Sequence, residues 1–123
     1  MHHEDHKDRD TIGCGIEVHR RLGPGFRESI YGRAFCLELE VKGLKFESEK
    51  AITVKYRDWQ IPGQRLDLVV EGVVIVEIKC VSRLKLVHRR QVVSYLRSAG
   101  LRVGLLMNFN TTVLKNGLQR IVN

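Results

Sequence analysis

Apolar and polar positions along the chain recur with two different periods, and the switch between them marks out the elements. From Asp10 to Leu22, Ile12, Ile16 and Val18–His19 return about one turn apart, which predicts a helix capped by Asp10 or Thr11. Gly13 and Gly15 weaken it by about 1 kcal/mol each relative to alanine, and Gly23-Pro24-Gly25 ends it. A second helix is expected over Glu28–Lys42, with Ile30, Ala34, Leu37 and Val41 as its buried stripe and Gly43 as its stop. The period then changes. Phe46–Tyr56 reads as a strand in which Ile52, Val54 and Tyr56 alternate, Asp58–Gly63 as a turn punctuated by Pro62 and Gly63, and Gln64–Val70 and Val73–Val81 as two further strands. A helix over Leu86–Ala99 closes on Gly100. Leu101–Phe109 is a fourth strand with Val103, Leu105, Met107 and Phe109 on one face, and Gly117–Val122 adds a short edge strand. The order is α-α-β-β-β-α-β, an α/β organisation with helices packed on a mixed sheet. A helical connection makes the third and fourth strands parallel neighbours. Residues 1–9 read as a disordered N-terminal tail, and 10–123 as a single domain.

The third strand breaks its own pattern. Val73 to Val81, VVIVEIKCV, is apolar enough to be buried on both faces, yet it contains Glu77 and Lys79. Side chains alternate, so Val73, Ile75, Glu77 and Lys79 share one face, with the two ionisable groups about 6.5–7 Å apart. Burying an unpaired charge costs several kcal/mol, so such groups need partners or a metal. The preceding strand carries one carboxylate, Asp67, in an otherwise apolar half. A two-residue loop at Glu71-Gly72 would set Asp67 opposite Val76. A three-residue loop, Glu71-Gly72-Val73, pairs Val70 with Val74 and sets Asp67 opposite Glu77, and a bulge would do the same. One of the latter two is expected, because two carboxylates brought together repel unless a cation joins them. Two carboxylates and a lysine at a hairpin end suit Mg²⁺, which keeps several waters and bridges to phosphate oxygens. Lys79 would then hold an attacking hydroxide and stabilise charge growing on phosphorus.

Two helices offer further groups. On the helix after this strand, His88, Gln91 and Tyr95 lie on the same side as Val92, Leu96 and Ala99, facing the sheet, while Arg90 and Arg97 point away. Glu28 and Tyr31, at i and i+3, share the first turn of the second helix.

Charge adds a partner. The net charge of +7 favours a polyanion such as nucleic acid, with Arg83 and Arg89 in a basic cluster that also holds Lys85, Arg90 and Arg97. No apolar run approaches the roughly 20 residues needed to cross a bilayer, and the polar start MHHEDHKDRD is no signal peptide. The three cysteines, Cys14, Cys36 and Cys80, are widely spaced in apolar contexts, which favours free thiols in a reducing cytoplasm. His2, His3 and His6 with Glu4 and Asp5 could chelate a metal, but a frayed polar terminus explains them better.

Together these residues carry a resemblance. Gly25-Phe26-Arg27-Glu28-Ser29-Ile30-Tyr31 spells the motif of the GxxExxY protein family, which looks like a compact branch of the PD-(D/E)xK nuclease superfamily. Asp67 with Glu77-Ile78-Lys79 resembles that superfamily's core motif, with Leu66 where its name has proline. Gln91-Val92-Val93-Ser94-Tyr95 is similar to the QxxxY motif of its exonuclease-like members. The resemblance spans about Thr11 to Asn123. It implies a restriction-endonuclease-like core, with Asp67, Glu77 and the Ile78 carbonyl as ligands of Mg²⁺ or Mn²⁺ and Lys79 as catalytic lysine. It further implies Glu28 as the helix-borne acid and Gln91 and Tyr95 as positioners. His88, Arg83, Arg89 and Tyr31 remain looser substrate-binding candidates. The expected function is metal-dependent hydrolysis of DNA. Alternatives are a catalytically silent nucleic-acid-binding module on the same fold, and a structural or regulatory partner protein, a homodimer included.

Overall fold

The computed structural model describes residues 3–123, with side chains from Lys7 onward. Its elements are α1 (His3–Leu22), α2 (Glu28–Val41), β1 (Phe46–Tyr56), β2 (Trp59–Val70), β3 (Val74–Lys79), α3 (Leu86–Ala99), β4 (Val103–Asn108) and β5 (Leu118–Val122), with a single 3₁₀ turn over Leu114–Gly117 before β5. The five strands form one sheet in the order β1-β2-β3-β4-β5. All neighbours are antiparallel except β3 and β4, which run parallel across the α3 crossover, as expected.

Alternation along β3 and β4 divides the core between the two faces of the sheet. Leu68, Val70, Val74, Val76, Leu105 and Met107 pack with Cys14 and Val18 of α1 and Tyr31, Phe35 and Leu39 of α2. Leu66, Val69, Ile75 and Leu106 pack with Val92, Tyr95 and Leu96 of α3 on the other face. The mixed α/β order and the helix-flanked sheet thus match the expectation. Among the described residues no helix is long and apolar enough to cross a membrane.

Three local expectations are corrected. The first helix starts at His3 instead of Asp10, so residues 3–9, expected as tail, are helical. Tertiary anchors hold this extra length: buried Asp8 accepts from Arg120 Nε of β5, and Lys7 Nζ lies 3.1 Å from Glu71 in the β2–β3 turn. The side chains of His2, His3, Glu4, Asp5 and His6 lie outside the described residues. The buried face of α2 is Tyr31, Phe35 and Leu39, while Ile30, Leu37 and Val41 of the expected stripe are exposed and Ala34 packs at the margin. Both rows are apolar at helical spacing, and the row with aromatic volume fills the space over the sheet. Finally, the β1–β2 turn is Arg57-Asp58, and Pro62-Gly63 falls inside β2. There the register slips between Ile52↔Gln64 and Val54↔Ile61, so Pro62 and Gly63 face Thr53 in a bulge, where a missing N–H costs no ladder bond.

The two faces of α2 give an expected outcome in urea unfolding. Leu39→Ala, which empties a fully buried site, should cost about 2–5 kcal/mol. Val41→Ala, at a side chain 79% exposed, should change stability by about 0.5 kcal/mol or less. The reverse ranking would return the stripe to Ile30, Leu37 and Val41.

Candidate active site

The turn Glu71-Gly72-Val73 joins β2 to β3, and both Glu71 and Gly72 take the left-handed conformation it needs (φ 54° and 70°). It pairs Val70 with Val74, the longer of the two loops weighed from sequence, followed by Val69↔Ile75 and Leu68↔Val76. There the ladder stops. β3 stays bonded to β4 as far as Lys79↔Asn108, so it is β2 that leaves. In the fork, the Asp67 N–H donates to Glu77 Oε1 at 3.1 Å and the Ile78 N–H donates to Asp67 Oδ2 at 2.9 Å. Each carboxylate therefore takes the place that a carbonyl acceptor would hold in a continued sheet. The strand bends at the same point: Leu66 belongs to the α3-side core and Leu68 to the α1/α2 side, two residues apart where regular alternation would place them together. Across from Asp67, Glu49 of β1 also sits at positive φ (50°).

The charges at the fork are strongly coupled to burial. Glu77 is only 3% exposed, and desolvation, followed by the adjacent Asp67 charge, pushes its carboxyl up to about 8, while Lys79 acts in the opposite sense. Glu28, the first residue of α2, is raised by desolvation and then by Asp67, again opposed by Lys79. Tyr95 of α3 is raised by burial and by the charges of Glu77 and Asp67. Asp67, Glu77, Lys79, Glu28 and Tyr95 thus lie within one electrostatic neighbourhood, assembled from β2, β3, α2 and α3. Lys79 forms no ion pair within 4 Å among the described residues, which leaves its ammonium available. Gln91 is half-buried one turn before Tyr95.

A cleft of about 370 Å³ opens beside the fork. Glu28, Ser29, Gly32, Arg33 and Cys36 of α2 form one wall, Ser48 and Glu49 of β1 another, and Asp67, Leu68 and Ile78 the floor. Sequence reasoning found Glu28, Asp67 and Ile78 but missed Ser29, Arg33, Ser48 and Glu49. Helical spacing from Glu28 carried a signal for Gly32 and Cys36, at i+4 and i+8. Ser48 and Glu49 join only through strand pairing.

Other candidates are placed elsewhere. Tyr31 is fully buried, so its expected role at substrate is corrected. Its hydroxyl donates to Gly23 O and accepts from the Phe26 N–H at 3.1 Å, and its ring stacks on Phe109 at 4.7 Å. Both polar functions are used in pinning the Gly23–Phe26 bend that delivers Glu28. His88 Nδ1 accepts the Lys85 N–H at 2.9 Å, closing the first turn of α3. Arg83 and Arg89 are exposed, and Arg89 reaches Gln119. A buried residue missed from sequence, Asn108, receives the Val81 N–H on Oδ1 at 3.1 Å and donates Nδ2 to Val81 O at 2.8 Å. With Phe109 N–H on Lys79 O, this fixes the end of β3 and so the root of Lys79. The three cysteines are free, and burial raises all of them, Cys14 to about 11, so none is an activated thiol.

A family model described as the PD-(D/E)XK nuclease superfamily matches residues 5–121. The chain belongs to the PD-(D/E)XK nuclease superfamily. Comparison with curated proteins and with solved structures returns no match. The letters of the superfamily name are met here at Asp67, Glu77 and Lys79, the residues of the fork, with Leu66 in place of proline.

The donor set suits a hard divalent cation. No three His, Cys, Asp or Glu side chains among the described residues gather as a metal-binding group, so the protein's own anionic donors at the fork are two carboxylates. Two such groups side by side demand one positive charge. The Glu77 carboxyl is raised first by burial and then by the adjacent Asp67 charge, so the pair favours a nearby positive charge. An oxygen-only, two-carboxylate donor set fits a hard divalent cation better than a thiolate- or imidazole-seeking ion.

Two outcomes follow from this geometry. Because the folded carboxyl of Glu77 is raised, its contribution to stability is full below the ordinary carboxylate range and is lost as pH rises towards and through about 8. Melted in chelator, wild type should therefore lose stability over that window, and Glu77→Gln should melt roughly 5 °C or more above it at pH 8.5. An unchanged difference from pH 5 to 8.5 would show that Glu77 is not strained there. Tyr31→Phe should cost about 1–2 kcal/mol, read by urea unfolding, because it orphans the Phe26 N–H and Gly23 carbonyl.

Proposed function

We propose that this nuclease-superfamily chain is a metal-dependent phosphodiesterase that hydrolyses DNA at the β2–β3 fork. One observation carries the proposal: across the open end of the hairpin the Asp67 N–H donates to Glu77 and the Ile78 N–H donates to Asp67, with Lys79 two residues beyond Glu77 on the same strand. In this reading Asp67, Glu77 and the Ile78 carbonyl hold Mg²⁺ or Mn²⁺. When bound, the cation supplies charge neutralisation at a phosphodiester and lowers the pKa of water.

The chain's own groups do the rest. Lys79 donates to the attacking water and to the oxygens on which negative charge grows, a task that needs a mobile ammonium at the rim. Glu28 shares the cleft with Asp67 and orients water on that side. Arg33, on the cleft wall, receives a neighbouring phosphate. Tyr95 and Gln91 hold the strand or its waters from α3, and exposed Arg83, Arg89 and the +7 net charge draw in the polyanion.

We also place the chain in the GxxExxY branch of the superfamily, where the motif acquires a physical meaning. Gly25 occupies a φ of 109°, open to glycine, Tyr31 pins the bend, and Glu28 is thereby set at the first turn of α2 facing Asp67.

The test is cleavage of single- and double-stranded DNA with Mg²⁺ and with a chelator. Wild type should cut only with the metal, and Lys79→Ala should lower the rate by about 10²-fold or more while retaining its circular dichroism. Equal rates for the two proteins would remove Lys79 from the chemistry. DNA binding with no cleavage under any divalent cation would make the protein a silent binding module on this fold.

A further inference from the structure

The β1–β2 ribbon outruns the sheet. β2 pairs with β3 only over Leu68–Val70, whereas β1 and β2 remain paired out to Tyr56↔Trp59. From Thr53 to Gly63 the chain is therefore a two-stranded arm, exposed along almost its whole length. An isolated hairpin of this kind is marginal in water, and this one does not hide its apolar side chains. Tyr56 and Trp59 are direct cross-strand partners, and Val54 and Ile61 are the next pair on the same face. Directly opposed side chains leave the same side of a ribbon about 5 Å apart at their roots, so both rings are presented on one face. They are 57% and 64% exposed. The arm's face continues into Ile52, which packs against the α3-side core that holds Tyr95.

The charge around this platform is positive. Lys50 and Arg65 at the base are shared with Glu47 and Glu49. Further out stand Lys55, on the reverse face of the ribbon, and Arg57, which with Asp58 forms the turn; the Arg57 guanidinium lies 6.0 Å from the Tyr56 ring centre. Two exposed rings on one face with cations nearby are what a single-stranded nucleic acid requires: π-faces for unstacked bases and positive charge for the backbone. A second copy of the chain fits less well. Four side chains fall far short of the roughly 800 Å² per partner of a stable interface, and the copy would bring the same +7 charge.

We propose that the β1–β2 arm is a single-strand binding element, with Tyr56 and Trp59 stacking bases and Lys55 and Arg57 contacting phosphates, so that it feeds one strand towards the β2–β3 fork. This rests on the nuclease reading of that fork. Asp67 and Trp59 lie on the same strand, eight residues apart, which at about 3.3 Å per residue puts the platform at most about 26 Å along the chain from the carboxylates, less by the bulge and bend between them. A reach of that order spans a few nucleotides, within the site sizes of small single-strand binders.

Trp59 is the single tryptophan of the chain, so its fluorescence reports the platform directly. Titrating the full-length protein, in chelator, with unlabelled oligothymidylate of about a dozen nucleotides should quench it. By anisotropy of a labelled oligonucleotide, Trp59→Ala should bind about tenfold more weakly and Trp59→Phe nearly as wild type, both with unchanged melting temperature. Replacing Lys55 and Arg57 by Gln should flatten the slope of log affinity against log salt by about 1.4, two phosphate contacts' worth. No quenching, together with wild-type affinity for Trp59→Ala, overturns the proposal, and cleavage that still depends on Lys79 would show that the nuclease reading survives it. Quenching and loss on Trp59→Ala without cleavage would leave the arm standing and the hydrolase reading fallen. A preference for blunt duplex over single strand overturns the stacking role. So does Trp59 emission that shifts with protein concentration alone, alongside dimer in sedimentation, since the arm would then join copies of the chain.

Discussion

Two carboxylates, Asp67 and Glu77, are held side by side where a β-hairpin comes apart, and much of the molecule is arranged around that contact. Each carboxylate accepts a backbone N–H that a continuing ladder would have bonded to a carbonyl. The fork is therefore satisfied in its hydrogen bonds while remaining unsatisfied in its charge. Desolvation and mutual repulsion drive Glu77 towards its neutral form. Under the proposed function, a divalent ion bound there would take the place of the Glu77 proton and release it. Stability and site chemistry thus draw on one interaction.

The surroundings supply position more than further charge. Tyr31 binds the Gly23–Phe26 bend through both functions of its hydroxyl and so sets where α2 begins, with Glu28 in its first turn. Asn108 ties the backbone of Val81 from both sides and holds the exit of β3, where Lys79 is rooted. Neither residue faces the cleft. They act through rigid packing: a side chain displaced by even an ångström from its working geometry loses much of its effect on a reacting group.

The bend at Asp67 also shapes the periphery. Once β2 leaves β3, its outer part has only β1 for a partner, and the ribbon runs free beyond the sheet. The bulge at Pro62-Gly63 uses two breaker residues where no inner ladder needs them. The same departure therefore opens the fork and extends the arm that carries Tyr56 and Trp59.

Local pattern alone identified the elements, the parallel β3–β4 pair and the polar residues of the fork, because period-2 and period-3.6 signals and the anomaly of charges in an apolar strand are short-range properties. Even the three-residue β2–β3 loop was among the registers that counting allowed. Where two local solutions were equally good, only packing chose. Ile30, Leu37 and Val41 form as regular a stripe as Tyr31, Phe35 and Leu39, and the larger aromatic row won the interior because it fills the volume over the sheet. Residues 3–9 are helical because Asp8 and Lys7 find Arg120 and Glu71, partners distant in sequence. Tyr31 looked like a substrate contact from its spacing to Glu28, but its burial against Phe109 depends on β4, far along the chain. Composition and periodicity thus determined which ionisable groups stand out against an apolar strand. Tertiary structure decided which of them meet, because long-range strand pairing and close packing select one arrangement among several that local energetics leave nearly equal.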